Sequence, residues 1–246
     1  IKAAVDIALH DLCGKIEQKP CFQYFSSDPS KMPPTSYTLG IDTPEVLLQK
    51  IKEGENCDII KVKLGRDNDK DLINTIRSAS DKPLYVDANQ GWTDKQQGLD
   101  MVFWLHEQGV VLIEQPMAKD DPDSNAWITE RSPIAIVGDE SVQRFADVEK
   151  AQGVYHAINM KLMKSAGMHE GYRMIMKAKE LGLKTMIGCM SETSCGTLAA
   201  AALAPLCDWA DLDGPFLTSN NPYKDPDFKD GKWVLSDLAG LGLLKS

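Results

Sequence analysis

Three carboxylates in this 246-residue chain stand at the ends of apolar runs: Asp87 in Pro-Leu-Tyr-Val-Asp-Ala-Asn, Glu114 in Val-Val-Leu-Ile-Glu-Gln-Pro and Asp139 in Ile-Ala-Ile-Val-Gly-Asp-Glu-Ser. They are 27 and 25 residues apart. That interval is too long for a hairpin and suits one strand, one helix and two connections, which bring each strand back parallel to the last. Side by side at one rim, three acids raise one another's pKa unless a cation joins them. An all-oxygen set of this kind suits a hard divalent ion such as Mg²⁺.

The runs that carry these acids belong to a regular series. Strand-like stretches fall near 36–41, 59–64, 84–88, 111–115, 134–139, 157–162, 184–188 and 209–213. Helical spacing occupies 43–53, 69–79, 93–108, 146–152, 167–181 and 194–204, and also 1–14, where apolar residues at 1, 4, 5, 8, 9 and 12 precede Gly14. Thr43-Pro44 and Thr93 read as helix starts, Gly109 and Gly182 as stops. Eight strands alternating with helices predict an α/β fold, a parallel TIM-type barrel of the (β/α)₇β kind, because after Asp213 the chain turns Pro/Asn/Asp-rich and no helix follows the eighth strand. The helix at 1–14 is free to fill the eighth place. An open doubly wound sheet is the rival, disfavoured because no Gly-rich phosphate fingerprint follows the first strand. The barrel is expected over residues 1–213, and the Pro/Asn/Asp-rich tail 214–246 is expected to cross it or reach towards a further element.

In such a barrel the C-terminal strand ends carry the chemistry. The second run supplies Lys61 and Lys63, two apart and hence on one face. The sixth supplies Lys161, and the eighth supplies Asp211 and Asp213, again two apart. Taken singly, each has a plain structural explanation: an Asp closing a strand is commonly a helix cap, and Lys-Val-Lys suits a charged edge strand. Taken together that explanation weakens, since strands roofed by helices leave no place for unpaired charges except a polar mouth. Lysines on strands two and six stand on opposite sides of that mouth, with the acids of three, four and five between them. The order suits removal of an α-proton from one face of a carbon beside a carboxylate and its return to the other face. Burial and neighbouring cations lower a lysine's pKa towards the range such a base needs.

Composition bounds the partners. A net charge of −9 argues against nucleic acid, and 43% hydrophobic with 26% charged residues is ordinary for a globular protein. No apolar run reaches membrane-spanning length and no signal peptide opens the chain, which begins at Ile1. Six cysteines without a CxxC pair read as reduced thiols in a cytoplasmic compartment.

As a set, several segments resemble the enolase superfamily, within it the muconate-lactonizing-enzyme subgroup and its dipeptide epimerases. They are residues 3–15 (Ala-Ala-Val-Asp-Ile-Ala-Leu-His-Asp-Leu-Cys-Gly-Lys), Lys-Val-Lys at 61–63, Val-Asp-Ala-Asn at 86–89, Ile-Glu-Gln-Pro at 113–116, Gly-Asp-Glu-Ser at 138–141, Asn-Met-Lys-Leu-Met-Lys at 159–164, Gly-Cys-Met-Ser-Glu at 188–192 and Asp-Leu-Asp-Gly-Pro at 211–215. The resemblance implies Mg²⁺ on Asp87, Glu114 and Asp139, and proton transfer through an enediolate by Lys63 and Lys161. It implies that Lys61 tunes Lys63 and meets the substrate carboxylate, and that Asp211 and Asp213 hold a dipeptide's α-ammonium. Met190 and Glu192 are expected to line the pocket, Met186 to line it or lie in the core, and Lys164 to face solvent or back up a ligand. The expected partner is a small dipeptide of the L-Ala-D/L-Glu kind, with no nucleic acid and no membrane; a homo-oligomer is compatible with the sequence.

Two departures accompany the resemblance. The family's N-terminal capping domain is absent from this chain, and Ser-Ala-Gly at 165–167 stands where relatives often carry Thr-Gly-Gly. Other readings keep the chemistry and change the substrate (o-succinylbenzoate synthase, N-acylamino acid racemase, muconate cycloisomerase), invoke a Schiff-base lyase using Lys161, or leave a lidless barrel that binds metal without turnover.

Overall fold

Near-continuous apolar runs with period-3.6 spacing between them produce eight parallel strands joined by seven crossovers. The structure, a computed structural model, describes residues 1–66 and 68–246. Helix α1 (Lys2–Glu17) precedes β1 (Ser36–Leu39), α2 (Pro44–Glu53), β2 (Ile59–Lys63), α3 (Asp69–Arg77), β3 (Leu84–Asp87), α4 (Lys95–Glu107) and β4 (Val110–Glu114). There follow α5 (Pro122–Arg131), β5 (Ala135–Gly138), β6 (Ala157–Lys161), α6 (Leu162–Ser165), α7 (Met168–Glu180), β7 (Lys184–Gly188), α8 (Ser194–Ala201) and β8 (Trp209–Asp211). The strands pair in chain order, all parallel. Between β8 and β1 the ring is joined by a Thr35–Ala210 bridge, by Leu212 N–H to Thr35 Oγ1 at 2.7 Å and by Thr38 N–H to an Asp213 carboxylate oxygen at 2.7 Å.

Alternation along each strand divides the interior into floors. Ile59, Tyr85, Leu112, Val137, Ala157 and Met186 form a separate apolar cluster with Ala135 and Trp209, the lower floor of the barrel. Two residues further along the same faces come Lys61, Asp87, Glu114, Asp139, Asn159, Gly188 and Asp211, so the floor above is polar. The intervening residues, among them Ile60, Val86, Ile113, Ile136, Ile158 and Ile187, face the helices and belong to the main core. Each fully buried aliphatic side chain there contributes about 1.5–3 kcal/mol. Met186, left between pocket and core by the sequence, is core.

The helix boundaries follow local chemistry. Pro44 opens α2 after Thr43, and α4 starts one residue later than Thr93 suggests because the Asp94 carboxylate accepts the Gln96 and Gln97 N–H groups. Residues 146–152 are not a helix but two short 3₁₀ turns, Phe145–Asp147 and Glu149–Ala151, while α5, capped by Asp121, went unread in the sequence. Helix α1 runs through Gly14 and stops at Gln18, which adopts φ 54°. It packs against α6, α7 and the 3₁₀ turn Cys21–Phe25 instead of filling the eighth place. That place is taken by the tail. Its hairpin, β9 (Phe228–Lys229) with β10 (Lys232–Trp233), stacks Phe228 and Trp233 with Phe216, which meets Tyr37 of β1, and Trp233 Nε1 donates to Leu212 O at 2.8 Å.

Among the described residues, no helix is long and apolar enough to cross a membrane.

Candidate metal centre and active site

The registers set the site. Lys63 pairs with Asp87 and Asp87 with Glu114, so three strand-end residues form one row. Across the barrel Lys161 pairs with Gly188 and Gly188 with Asp211. Asp139 lies just beyond β5. Oxygen atoms of Asp87, Glu114 and Asp139 all come within 4.8 Å of one another, and all three side chains are buried. This is the set the sequence singled out.

Cations surround the acids. Lys61 Nζ, 3% exposed, lies 2.7 Å from Glu114 Oε1, 2.7 Å from Asp211 Oδ2 and 3.5 Å from Asp87 Oδ2. Lys63 Nζ reaches Asp87 Oδ2 and Asn89 Oδ1, each at 3.3 Å, with its side chain 44% exposed at the rim. Lys161 Nζ donates to Asp139 Oδ2 at 2.7 Å and is 9% exposed. Lys164, an open question in the sequence, turns into the site with its side chain 10% exposed: it donates to the other Asp139 oxygen, to Asp139 O at 2.7 Å and to Asn159 O at 3.1 Å.

These neighbours decide the charge states. Burial pulls the Lys61 ammonium down, but Asp211, Glu114 and Asp87 outweigh it and hold its pKa well above the ordinary value. Burial likewise works against charge on Lys161, and Asp139 overrides it, leaving the pKa raised. Burial would raise Asp139 too, but Lys164 and Lys161 hold it below the usual carboxylate range. Glu114 is pushed up to about 7, by burial first, with Lys61 opposing and Asp87 and Asp139 adding. Lys164 is lowered by burial despite Asp139.

The donor set fits a hard divalent cation. The three carboxylates converge, and Glu114 Oε1, buried and 2.7 Å from Lys61, accepts no aligned hydrogen bond among the described residues. A buried carboxylate oxygen in that state is one a metal would satisfy.

Asp211 and Asp213 are both buried near the mouth, though only Asp211 belongs to β8. Asp211 accepts from Ser36 Oγ at 2.7 Å as well as from Lys61. Asp213 is pushed up to about 6 by burial and by Asp211. Met190 is 46% exposed, and the Glu192 carboxylate turns back to accept the Met190 N–H at 2.8 Å. Burial raises the pKa of Glu192. In the loop after β6, Ala166 adopts φ 67°, a left-handed conformation in which a Cβ is strained by about 1–2 kcal/mol. The departure from Gly at 166 therefore falls on a residue whose backbone favours glycine.

Two site residues escaped the sequence reading. Asn159 Nδ2 donates to Glu114 Oε2 at 2.8 Å, and Ser36 reaches Asp211. Asn159 lies two residues before Lys161, and the alternation rule applied backwards from Lys161 finds it.

A parallel α/β barrel with a buried carboxylate triad at its C-terminal mouth defines the class of protein. The chain belongs to the Enolase C-terminal domain-like family, whose model matches residues 45–244. It is 51% identical over 245 residues to an L-Ala-D/L-Glu epimerase of Bacteroides thetaiotaomicron, covering 99% of this chain and 64% of that protein's length. The crystal structure of a dipeptide epimerase from Enterococcus faecalis V583 complexed with Mg and L-Leu-L-Tyr is similar, with a TM-score of 0.89 and 34% identity over 99% of this chain and 72% of that one. Muconate cycloisomerase from Pseudomonas fluorescens superposes equally well, with a TM-score of 0.90 at 27% identity over 99% of this chain and 72% of that one. Backbone likeness therefore does not separate the two chemistries; the side chains of the mouth must.

Proposed function

We propose that the chain carries the site of a Mg²⁺-dependent dipeptide epimerase, acting on substrates of the L-Ala-D/L-Glu kind by 1,1-proton transfer. The observation that carries this reading is the placement of Lys63 on β2 and Lys161 on β6, half a barrel apart, with Asp87, Glu114 and Asp139 at the ends of the strands between. Asp87, Glu114 and Asp139 would hold the metal. When bound, it supplies Lewis-acid stabilisation to a substrate carboxylate whose α-proton is leaving.

The chain's own groups do the rest. Lys161 accepts or returns a proton on one face of the α-carbon and Lys63 on the other. Burial and the Lys61 charge work towards a neutral Lys161, but the Asp139 carboxylate bound to it, with Glu114, outweighs them and leaves its pKa raised. Lys61, held protonated by three carboxylates, offers a fixed positive charge beneath the substrate carboxylate. Asp211 and Asp213 face an excess of buried negative charge that a dipeptide's α-ammonium would relieve. The 51% identity to an L-Ala-D/L-Glu epimerase supports the same substrate class.

The test is deuterium exchange at the α-carbon of the C-terminal residue, for a panel of dipeptides in D₂O with Mg²⁺. Exchange with change of configuration is expected for at least one dipeptide, and none across the panel sinks the proposal. A second reading, an N-acylamino acid racemase whose substrate lacks the ammonium, is favoured by one contact: Lys61 already occupies Asp211 at 2.7 Å. Activity indifferent to Asp213→Asn, with N-acyl substrates turned over, would select it.

A further inference from the structure

Gln115 follows the central acid Glu114 and is fully buried, with φ 36°, a left-handed conformation uncommon outside glycine. That turn carries its carboxamide sideways, off β4 and towards the end of β5. There every hydrogen-bonding position is used. Oε1 accepts the backbone N–H of Asp139 at 3.1 Å and of Ser141 at 3.2 Å; Nε2 donates to Met117 O at 3.2 Å and to the Tyr155 hydroxyl at 2.8 Å. Tyr155 Oη also lies 2.8 Å from Ser141 Oγ. The ring reaches this position because residue 138 is glycine: a Cβ there would come within 2.7 Å of Tyr155 Cδ2. The Gln115 amide is itself bound to Val137 O at 2.9 Å, and its carbonyl accepts Gln90 N–H at 2.8 Å. Backbone and side chain of one residue thus join the ends of β3, β4 and β5.

We infer that Gln115, braced by Tyr155, is a positioning residue that fixes the Asp139 carboxylate relative to Glu114 and so sets the geometry of the metal triad. The inference rests on the reading of Asp87, Glu114 and Asp139 as a divalent-metal centre. β5 ends at Gly138, so the ladder itself does not hold Asp139. The carboxamide takes over where the ladder stops, capping two successive loop N–H groups with one oxygen. Methionine has nearly the same shape and offers no comparable acceptor or any donor; it would leave the Asp139 and Ser141 N–H groups and the Met117 carbonyl unpaired. Tyr155→Phe removes only the brace.

The test uses Mn²⁺ binding by calorimetry and amide hydrogen exchange on the parent, Gln115→Met and Tyr155→Phe, with Thr129→Val as a control. Thr129 is buried and donates to Val154 O at 2.7 Å, a bond that involves neither Gln115, the Tyr155 hydroxyl nor a triad carboxylate. Gln115→Met is expected to weaken Mn²⁺ at least tenfold and to speed exchange of the 139 and 141 amides at least tenfold. Tyr155→Phe is expected to weaken Mn²⁺ about two- to fivefold. Thr129→Val is expected to lower Tm with Mn²⁺ affinity unchanged, separating positioning from loss of stability. Mn²⁺ affinity within twofold of the parent in Gln115→Met overturns the inference; if that variant does not fold, unchanged affinity in Tyr155→Phe overturns it. If the parent binds no Mn²⁺, the metal reading has failed. Gln115 is then judged by exchange alone: faster exchange at 139 and 141 supports it as the brace of Asp139, and unchanged exchange removes it.

Discussion

The two lysines proposed as bases are not in equal surroundings, and that asymmetry gives a prediction at the residue scale. Lys161 is 9% exposed and bound to Asp139, whereas Lys63 is 44% exposed and shares its ammonium between Asp87 and Asn89 at 3.3 Å each. With one base on each face of the α-carbon, removing either should stop epimerisation while leaving the other able to exchange the proton it faces. Lys161→Met and Lys63→Met are therefore each expected to lower epimerisation by about 10²–10⁴-fold, the usual worth of a positioned base. Each should retain α-proton exchange on a single diastereomer, opposite for the two variants. Mass spectrometry of each diastereomer in D₂O reads this out. Exchange of both diastereomers by either variant would show that a single base serves both faces.

At the scale of elements, the stretch between β5 and β6 shows what a sequence can and cannot reveal. Its helical spacing is real, yet the chain forms two 3₁₀ turns because tertiary bonds override local preference: Arg144 Nε and Nη2 donate to Glu170 on α7 at 2.8 and 2.7 Å, and Phe145 N–H donates to the same carboxylate at 2.9 Å. Arg144, the Phe145 hydrogen bond and Arg173 hold Glu170 below its ordinary 4.5, against the opposing effect of burial. A carboxylate depressed on folding contributes stability that is complete above the unfolded pKa and is lost as pH falls through the folded one. Glu170→Gln should therefore lower Tm by about 1–3 °C above pH 5, and the difference should shrink towards zero on acidification below 4. A pH-independent difference in a melting series would refute the ion-pair explanation. By contrast, the eight strands and the triad were legible, because near-continuous apolar runs and 27- and 25-residue intervals are imposed by a parallel barrel covered on both faces. Helix α5 was not, since it begins at Pro122 within the polar sequence Asp-Asp-Pro-Asp-Ser-Asn and buries only one large apolar residue, Ile128. Nor was the place of α1: the apolar residues at 1, 4, 5, 8, 9 and 12 are all exposed, and the helix is buried instead through Ala3, Ile7 and Gly14. Gln115 and Lys164 act through the space between strands, and strand spacing carries no information about that.

At the scale of the whole molecule, the mouth concentrates charge that folding alone does not balance. Asp87, Glu114, Asp139, Asp211 and Asp213 face four ammonium groups, those of Lys61, Lys63, Lys161 and Lys164, within a chain of net charge −9. A divalent ion that binds the folded barrel and not the unfolded chain must stabilise it: at one hundred times Kd the linkage contributes about 2.7 kcal/mol. At about 2–4 °C per kcal/mol for a domain of this size, Mg²⁺ should raise Tm by about 5–10 °C. The converging oxygens are those of the triad, while Asp211 is engaged by Lys61 and Ser36, and Asp213 by the Thr38 N–H. Glu114→Gln should therefore abolish the Mg²⁺ shift, whereas Asp213→Asn should keep it and lose dipeptide binding instead. Calorimetric melts of the three proteins, with Mg²⁺ and with EDTA, distinguish these sites. A Mg²⁺ shift that survives Glu114→Gln, or vanishes in Asp213→Asn, would move the metal from strands three to five to the far side of the barrel and would take the proposed proton path with it.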